Sequence, residues 1–329
     1  MHTELKIHGS KQDSGHRWGV ILAGGDGMRL RPLTRQIAGD DRPKQFCAVL
    51  GNASLLQQTR NRVSRILPGR RTLLVLNEMH ERFYAGQVAG VPPQGLLIQP
   101  ANRGTAAAIL YALVCLRARD PRGLVAFFPS DHYFADDALL ATHVASAFAA
   151  AALRPASVIL LGIAPETPEV DYGWIEPGAL VASTSFSPIH RVVQVAEKPP
   201  RPVASLMMER GCLWNSFIMV GRVSAFLRLI RRTLPGLLES FKSVRPPGIA
   251  AMGPGAMRKL YARLPAPSFS REVLAACPSR LLVLPCAKLR WVDLGDPSRV
   301  VTLLQRFGVQ GVSRPGLAAP GQKFASGQI

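Results

Sequence analysis

Acidic residues, aromatic residues and cysteines are all scarce in this chain. Its 329 residues include 21 Asp and Glu against 40 Lys and Arg, for a formal net charge of +19, with 7% aromatics and 5 cysteines. Cys47, Cys115, Cys212, Cys277 and Cys286 are odd in number and scattered, which excludes a disulfide framework and a CxxC metal site. They read as small buried residues. The longest uncharged stretch, residues 83–102, is broken by Pro92, Pro93 and Pro100, so no membrane span is expected. The first residues are polar and offer no apolar core of a signal peptide, so the expected location is the cytoplasm. The basic excess is spread along the chain, with no long block of one sign and no zinc-finger or basic-zipper spacing, so no nucleic-acid partner is expected.

The chain is also 47% hydrophobic, enough to bury a sizeable core, and its length suits two domains or one large α/β domain. Short apolar runs at residues 18–22, 72–76, 96–99, 124–128 and 158–163 read as strands. Helical patterns at 54–66, 105–117 and 137–153 alternate with them, Ser54 being a plausible N-cap. Such alternation predicts an α/β fold, a Rossmann-like, mostly parallel sheet flanked by helices. Beyond residue 163 the pieces are shorter: strands at 172–176, 192–197, 217–220 and 281–284, and helices at 223–232, 256–264 and 297–306. This half is expected to extend the same sheet. Residues 1–16 read as a polar leader and 308–329, rich in Gly, Pro, Ser and Ala, as a flexible tail.

Ligands of open parallel sheets bind beyond the carboxyl ends of the strands, and the unusual residues fall there. Residues 22–35 (LAGGDGMRLRPLTR) put glycines directly after a strand, where backbone N–H groups can cradle phosphate oxygens. Arg29, Arg31 and Lys44 are cations for a triphosphate. The stretch is neither GxGxxG nor a Walker A loop, which argues against a dinucleotide oxidoreductase or a P-loop ATPase. Residues 99–106 (QPANRGTA) could read the edge of a base or simply start a helix. Asp131, after residues 127–130 (FFPS), is a carboxylate at a strand tip, suited to Mg²⁺ or to capping a loop. Glu197 and Lys198 leave one strand end together, Asn215 places an amide in an apolar run, and Asp293 precedes Asp296, a plausible helix cap before Pro297.

In order, GGDGMRLRPLTR, RPKQF, NRGTA, FPSDH, YGWIE, EKP, WNSF and WVDLGD are spread from residue 22 to residue 296, nearly the whole span of the expected folded chain. Together they resemble the sugar-nucleotide pyrophosphorylase family, most closely the mannose-1-phosphate guanylyltransferases. The resemblance implies a nucleotidyltransferase fold over residues 17–307, with a nucleotide-binding part at 17–165 and a sugar-phosphate-binding part at 166–307. It also implies a Mg²⁺ cofactor and two small-molecule substrates, GTP and mannose 1-phosphate, joined with release of pyrophosphate. By the same resemblance the nucleotide meets Leu22, Ala23, Gly24, Gly25, Gly27, Gln99, Asn102, Gly104 and Thr105. Arg29, Lys44, Asp131 and Asp293 are the implied catalytic residues, and Asp131 and Asp293 the metal ligands. Gly173, Glu197 and Asn215 would contact the hexose, and Lys198 its 1-phosphate. Gly104 stands where that family commonly has Asn, and Ser270 where many members have Asp. Neither a β-helix nor a cupin or isomerase domain is expected after WVDLGD, and a homodimer is left open. The alternatives are a pyrophosphorylase for another nucleotide or hexose 1-phosphate, or a non-catalytic homologue, which the retained charged residues argue against.

Overall fold

A computed structural model describes residues 6–7, 15–184, 187–244 and 253–307. Its strands are β1 (Lys6–Ile7), β2 (Arg17–Leu22), β3 (Thr72–Asn77), β4 (Leu96–Gln99), β5 (Leu124–Pro129) and β6 (His132–Phe134), then β7 (Val158–Ile163), β8 (Gly173–Thr184), β9 (Pro188–Glu197), β10 (Leu213–Arg222), β11 (Leu281–Pro285) and β12 (Trp291–Asp293). The main sheet has the order β1-β8-β9-β11-β7-β10-β5-β2-β3-β4, while β12 pairs antiparallel with β6 apart from it. The α/β expectation holds.

The inner strands read as unbroken apolar runs because both faces of the sheet are covered. Val20, Val75, Val125 and Phe127 point to one side and join an apolar cluster with residues of helices Gly104–Arg119 and Val223–Thr233. Ile21, Leu76, Ala126 and Phe128 point to the other and cluster with residues of helices Leu55–Ser64 and Asp137–Leu153. Ser54 caps its helix as expected: its hydroxyl accepts from the Gln57 backbone N–H at 3.1 Å, and the Gln57 side chain accepts from Ser54 N–H at 2.9 Å.

Parallel pairing holds for β4-β3-β2-β5 and for β7-β11. The second half does extend the sheet, but it also enters it: β10 lies between β5 and β7, antiparallel to both. An apolar run carries no direction, so the sequence did not reveal this reversal. The reversal matters for the site, since it sets the start of β10 beside the carboxyl end of β7, with Asn215 opposite Gly162. The β10 register breaks between Asn215 and Met219, where Phe217 has φ 59°. Within the expected leader, Lys6–Ile7 pairs in parallel with β8. The expected tail, 308–329, lies outside the described residues. Among the described residues no helix is long and apolar enough to cross a membrane.

Two glycines test how tightly the chain is packed at the edge that carries the motifs. Gly104 and Gly211 both have φ 73°, but a Cβ at Gly104 would lie 2.5 Å from the Pro267 carbonyl oxygen, whereas one at Gly211 meets nothing within 4 Å. Gly211→Ala should cost about 1 kcal/mol, the left-handed penalty alone. Gly104→Ala should cost at least about 3 kcal/mol, because a backbone must move as well. Urea denaturation of both variants checks this, and equal losses would show that the Pro267 contact yields freely.

Candidate active site

Loops at the carboxyl ends of β2, β4 and β5 enclose a cleft of about 300 Å³. Of the residues expected to meet a nucleotide, Leu22, Gly24, Gly25, Gly27, Gln99, Asn102, Gly104 and Thr105 line it, together with Asp131. Ala23 does not. It continues β2, with its N–H bonded to the Val75 carbonyl at 2.8 Å, and is 1% exposed. The glycine loop is held from below by Gln45, whose amide donates to the carbonyls of Ala23 at 3.1 Å and Gly25 at 2.7 Å. Gln45 was part of RPKQF but had no assigned task, because its partners are backbone atoms that no side-chain pattern reveals.

On the opposite wall the Asn102 carbonyl oxygen accepts from Gly104 N–H at 3.1 Å, and its amide reaches across to Asp26 at 2.9 Å. The Thr105 hydroxyl accepts from Phe269 N–H at 2.8 Å, so this side chain already anchors the 269–274 turn. Gln99 is buried, with the Tyr261 hydroxyl donating to its carbonyl oxygen at 3.3 Å.

At the lip of the cleft three distant segments meet. The Lys44 ammonium lies 3.1 Å from Asp131 Oδ2, 3.2 Å from Asp293 Oδ1 and 2.9 Å from the Leu294 carbonyl oxygen. Burial pulls the Lys44 pKa down, but the two carboxylates outweigh it and hold the group above its ordinary value. For Asp293 burial works upward, yet Lys44 and its cationic neighbours keep the carboxyl below the usual range. Asp131 and Asp293 are brought together by the β6–β12 ribbon, in which His132 is opposite Asp293. The indole N–H of Trp291 donates to His132 Nδ1 at 3.1 Å, which leaves the ring proton on Nε2, facing both carboxylates at 3.7 and 3.8 Å. Burial lowers the His132 pKa despite those carboxylates, so the ring is neutral. The sequence showed His132 only as the residue after Asp131.

Asp131, Asp293 and the Leu294 carbonyl form an all-oxygen donor set around one cation, the kind a hard divalent ion takes. Among the described residues no group of three or more His, Cys, Asp or Glu could hold a metal. Mg²⁺ would therefore need water or phosphate oxygens to complete its shell, as it commonly does.

Arg29 lies outside the cleft lining. Its guanidinium is half exposed, 3.6 Å from Asp171, and reaches Gly295, whose vacant Cβ position lies 3.0 Å from Arg29 Nη2 and 3.1 Å from Asp293 Oδ2. The expected sugar contacts form a second group. A Cβ on Gly173 would lie 2.9 Å from Glu197 Oε2 and 3.3 Å from the Asn215 Cβ, so glycine is what lets these side chains close together. Burial raises the Glu197 pKa, with Lys198, Ser270 and Arg271 pulling the other way. A serine, Ser270, thus lies beside Glu197 where the resemblance expected a carboxylate. Lys198 is exposed, in the left-handed region at φ 52°, with its N–H bonded to the Tyr172 carbonyl at 3.1 Å.

The nucleotidyl transferase family model matches residues 18–304. The chain belongs to the nucleotidyl transferase family. This nucleotidyl transferase is 35% identical over 225 residues to the xanthan biosynthesis protein XanB of Xanthomonas campestris pv. campestris (strain B100), covering 67% of this chain and 45% of that one. It is 29% identical over 226 residues to the mannose-1-phosphate guanylyltransferase of Escherichia coli (strain K12), covering 67% and 46%. A crystal structure from Thermus thermophilus, described as a mannose-1-phosphate geranyltransferase, superposes with a TM-score of 0.72 at 28% identity, covering 85% of this chain and 76% of that one. The chain spans about half the length of the curated relatives it matches.

The depressed Asp293 pKa has a consequence for stability. A carboxyl held below its unfolded value stabilises the fold above that value, and the contribution is lost as pH falls through the folded pKa. Asp293→Asn should therefore destabilise the protein by about 3 kcal/mol near pH 7, the scale of a broken buried pair. The gap to wild type should narrow as pH drops below the ordinary carboxylate range. Urea denaturation over pH 3–7 reads both curves, and a gap independent of pH would contradict the pairing.

Proposed function

We propose that this nucleotidyl transferase joins GTP to mannose 1-phosphate, giving GDP-mannose and pyrophosphate, with Mg²⁺ as cofactor. The observation that carries this reading is the meeting of Lys44, Asp131 and Asp293 at the lip of a cleft walled by the glycine loop and residues 99–105. A phosphate oxygen of the sugar phosphate would attack the α-phosphorus in line, forming a P–O bond as the bond to the pyrophosphate oxygen breaks. The difficulty is repulsion: two unit charges 4 Å apart interact by about 4 kcal/mol at an effective dielectric of 20, and both reactants carry several.

Residues of this chain offset that repulsion. Arg29 would face the departing pyrophosphate, Lys44 would reach the phosphates at the reacting centre once drawn from its carboxylates, and Lys198 would hold the sugar phosphate. Glu197 and Asn215 would orient the hexose through its hydroxyls, and Gly173 lets these two side chains come together. Asp131 and Asp293 would hold Mg²⁺, which polarises phosphoryl oxygens as a Lewis acid when bound. No nucleophilic side chain is required, so rate enhancement comes from positioning and preorganised charge.

A second reading, another nucleoside triphosphate, is favoured by Gly104. The Pro267 carbonyl leaves no space there for the Asn common among guanylyltransferases, so base selection must rest on other contacts. A pyrophosphate-release matrix of four nucleotides against several sugar 1-phosphates decides between them. GTP with mannose 1-phosphate should be fastest, chelator should abolish turnover, and Asp131→Asn should lower kcat at least about a hundredfold. Faster release from UTP or dTTP selects the second reading. Turnover that survives chelation, or wild-type turnover by Asp131→Asn, removes the metal role.

A further inference from the structure

The Lys44 ammonium and a divalent ion cannot both use the same oxygens. Nζ donates to Asp293 at 3.2 Å and to the Leu294 carbonyl at 2.9 Å, and it lies 3.1 Å from Asp131 Oδ2 as an ion pair. In this arrangement the ammonium occupies the space between these three oxygens. A metal between the carboxylates would repel the ammonium, so Lys44 must leave them when the metal enters.

The surroundings allow the side chain, and not the backbone, to make that move. Lys44 N–H packs 3.0 Å from the Cβ position of Gly27, which has φ 58°, and the turn is closed by Phe46 N–H to the Pro43 carbonyl at 2.9 Å and Cys47 N–H to the Lys44 carbonyl at 3.1 Å. The adjoining Gln45 is tied to the glycine loop. What remains free to rotate is a four-carbon stem. Asp131 lines the cleft, so the ammonium leaving it turns toward the space enclosed by the glycine loop. Two carboxylates against one ammonium also leave a negative charge that still attracts a divalent cation.

We infer that Lys44 is a displaceable internal cation, which fills the oxygen cage of Asp131, Asp293 and Leu294 until nucleotide phosphates draw it out and a divalent ion takes its place. The inference rests on the reading of Asp131 and Asp293 as metal ligands. It makes metal and nucleotide binding mutually dependent: the cage resists metal alone, and each ligand strengthens the other by the same factor. It also offsets the repulsion between two carboxylates that share one cation.

The test measures Mn²⁺ binding by the loss of its free EPR signal, using wild type, Lys44→Met and Lys44→Met with Asp293→Asn. Each is measured alone and with α,β-methylene GTP, which cannot release pyrophosphate, after correction for Mn²⁺ bound to the analogue in solution. Lys44→Met should bind Mn²⁺ alone about tenfold more tightly than wild type or better, a coupling of ordinary size. The gain that the analogue gives wild type should shrink in that variant, and the added Asp293→Asn should abolish the tight binding. Equal or weaker Mn²⁺ binding by Lys44→Met overturns the exchange while leaving the metal ligands in place. Tight binding that survives Asp293→Asn overturns the metal assignment and the exchange with it. A crystal structure of wild type with Mn²⁺ and the analogue needs no variant: Nζ should lie beyond hydrogen-bond distance of both carboxylates, and retention of those contacts beside the metal overturns the exchange.

Discussion

One buried ammonium ties the site together. Lys44 follows the glycine loop, Asp131 ends the path of β5, and Asp293 closes the ribbon between β6 and β12, positions separated by as many as 249 residues. Lys44, only 10% exposed, would not be tolerated there alone, because a buried charge needs a partner. The pairing therefore fixes where the second half of the chain docks on the first. Around it, Trp291 fixes the ring of His132 and packs 4.8 Å from Tyr172, whose ring faces the Arg299 guanidinium at 4.5 Å. Arg299 in turn bonds Asp171 at 3.0 Å and Glu169 at 3.2 Å, so the charges near the site are balanced outward from Lys44.

The sheet supplies the rigidity that such a cluster requires. Its strands are covered on both faces, so their tips move little, and the loops that follow them inherit fixed starting points. Gln45 then holds the glycine loop by its own carbonyls, which leaves the loop's N–H groups available to anions. On the sugar side the absent Cβ of Gly173 lets Glu197 and Asn215 approach, and Ser270 lies near the Glu197 carboxyl without adding a second negative charge.

Much of this was legible in the sequence, and for physical reasons. Doubly covered strands must be apolar throughout, so the runs at 18–22, 124–128 and 158–163 declared themselves, and Ser54 announced its helix as an N-cap. The glycine loop and the acidic strand tips were legible because few structural tasks need those residues there. Direction was not legible, so the insertion of β10 between β5 and β7 went unseen. Neither were contacts made through backbone atoms or across long separations. Ala23 looked like part of the phosphate loop but its N–H is bonded to the Val75 carbonyl, the Thr105 hydroxyl accepts from Phe269 N–H, and the partnerships of Gln45, Tyr261 and Trp291 join segments that no local pattern connects.

The pairing of Lys44 with its carboxylates is open to direct measurement. A double-mutant cycle of Lys44→Met and Asp293→Asn, read by urea denaturation at neutral pH without added metal, isolates their interaction from the cost of each change. The two substitutions should be coupled by at least about 1 kcal/mol, the double variant being more stable than the sum of the single losses predicts. Strictly additive losses would show that Lys44 and Asp293 are only neighbours, and the site would then need another organising interaction.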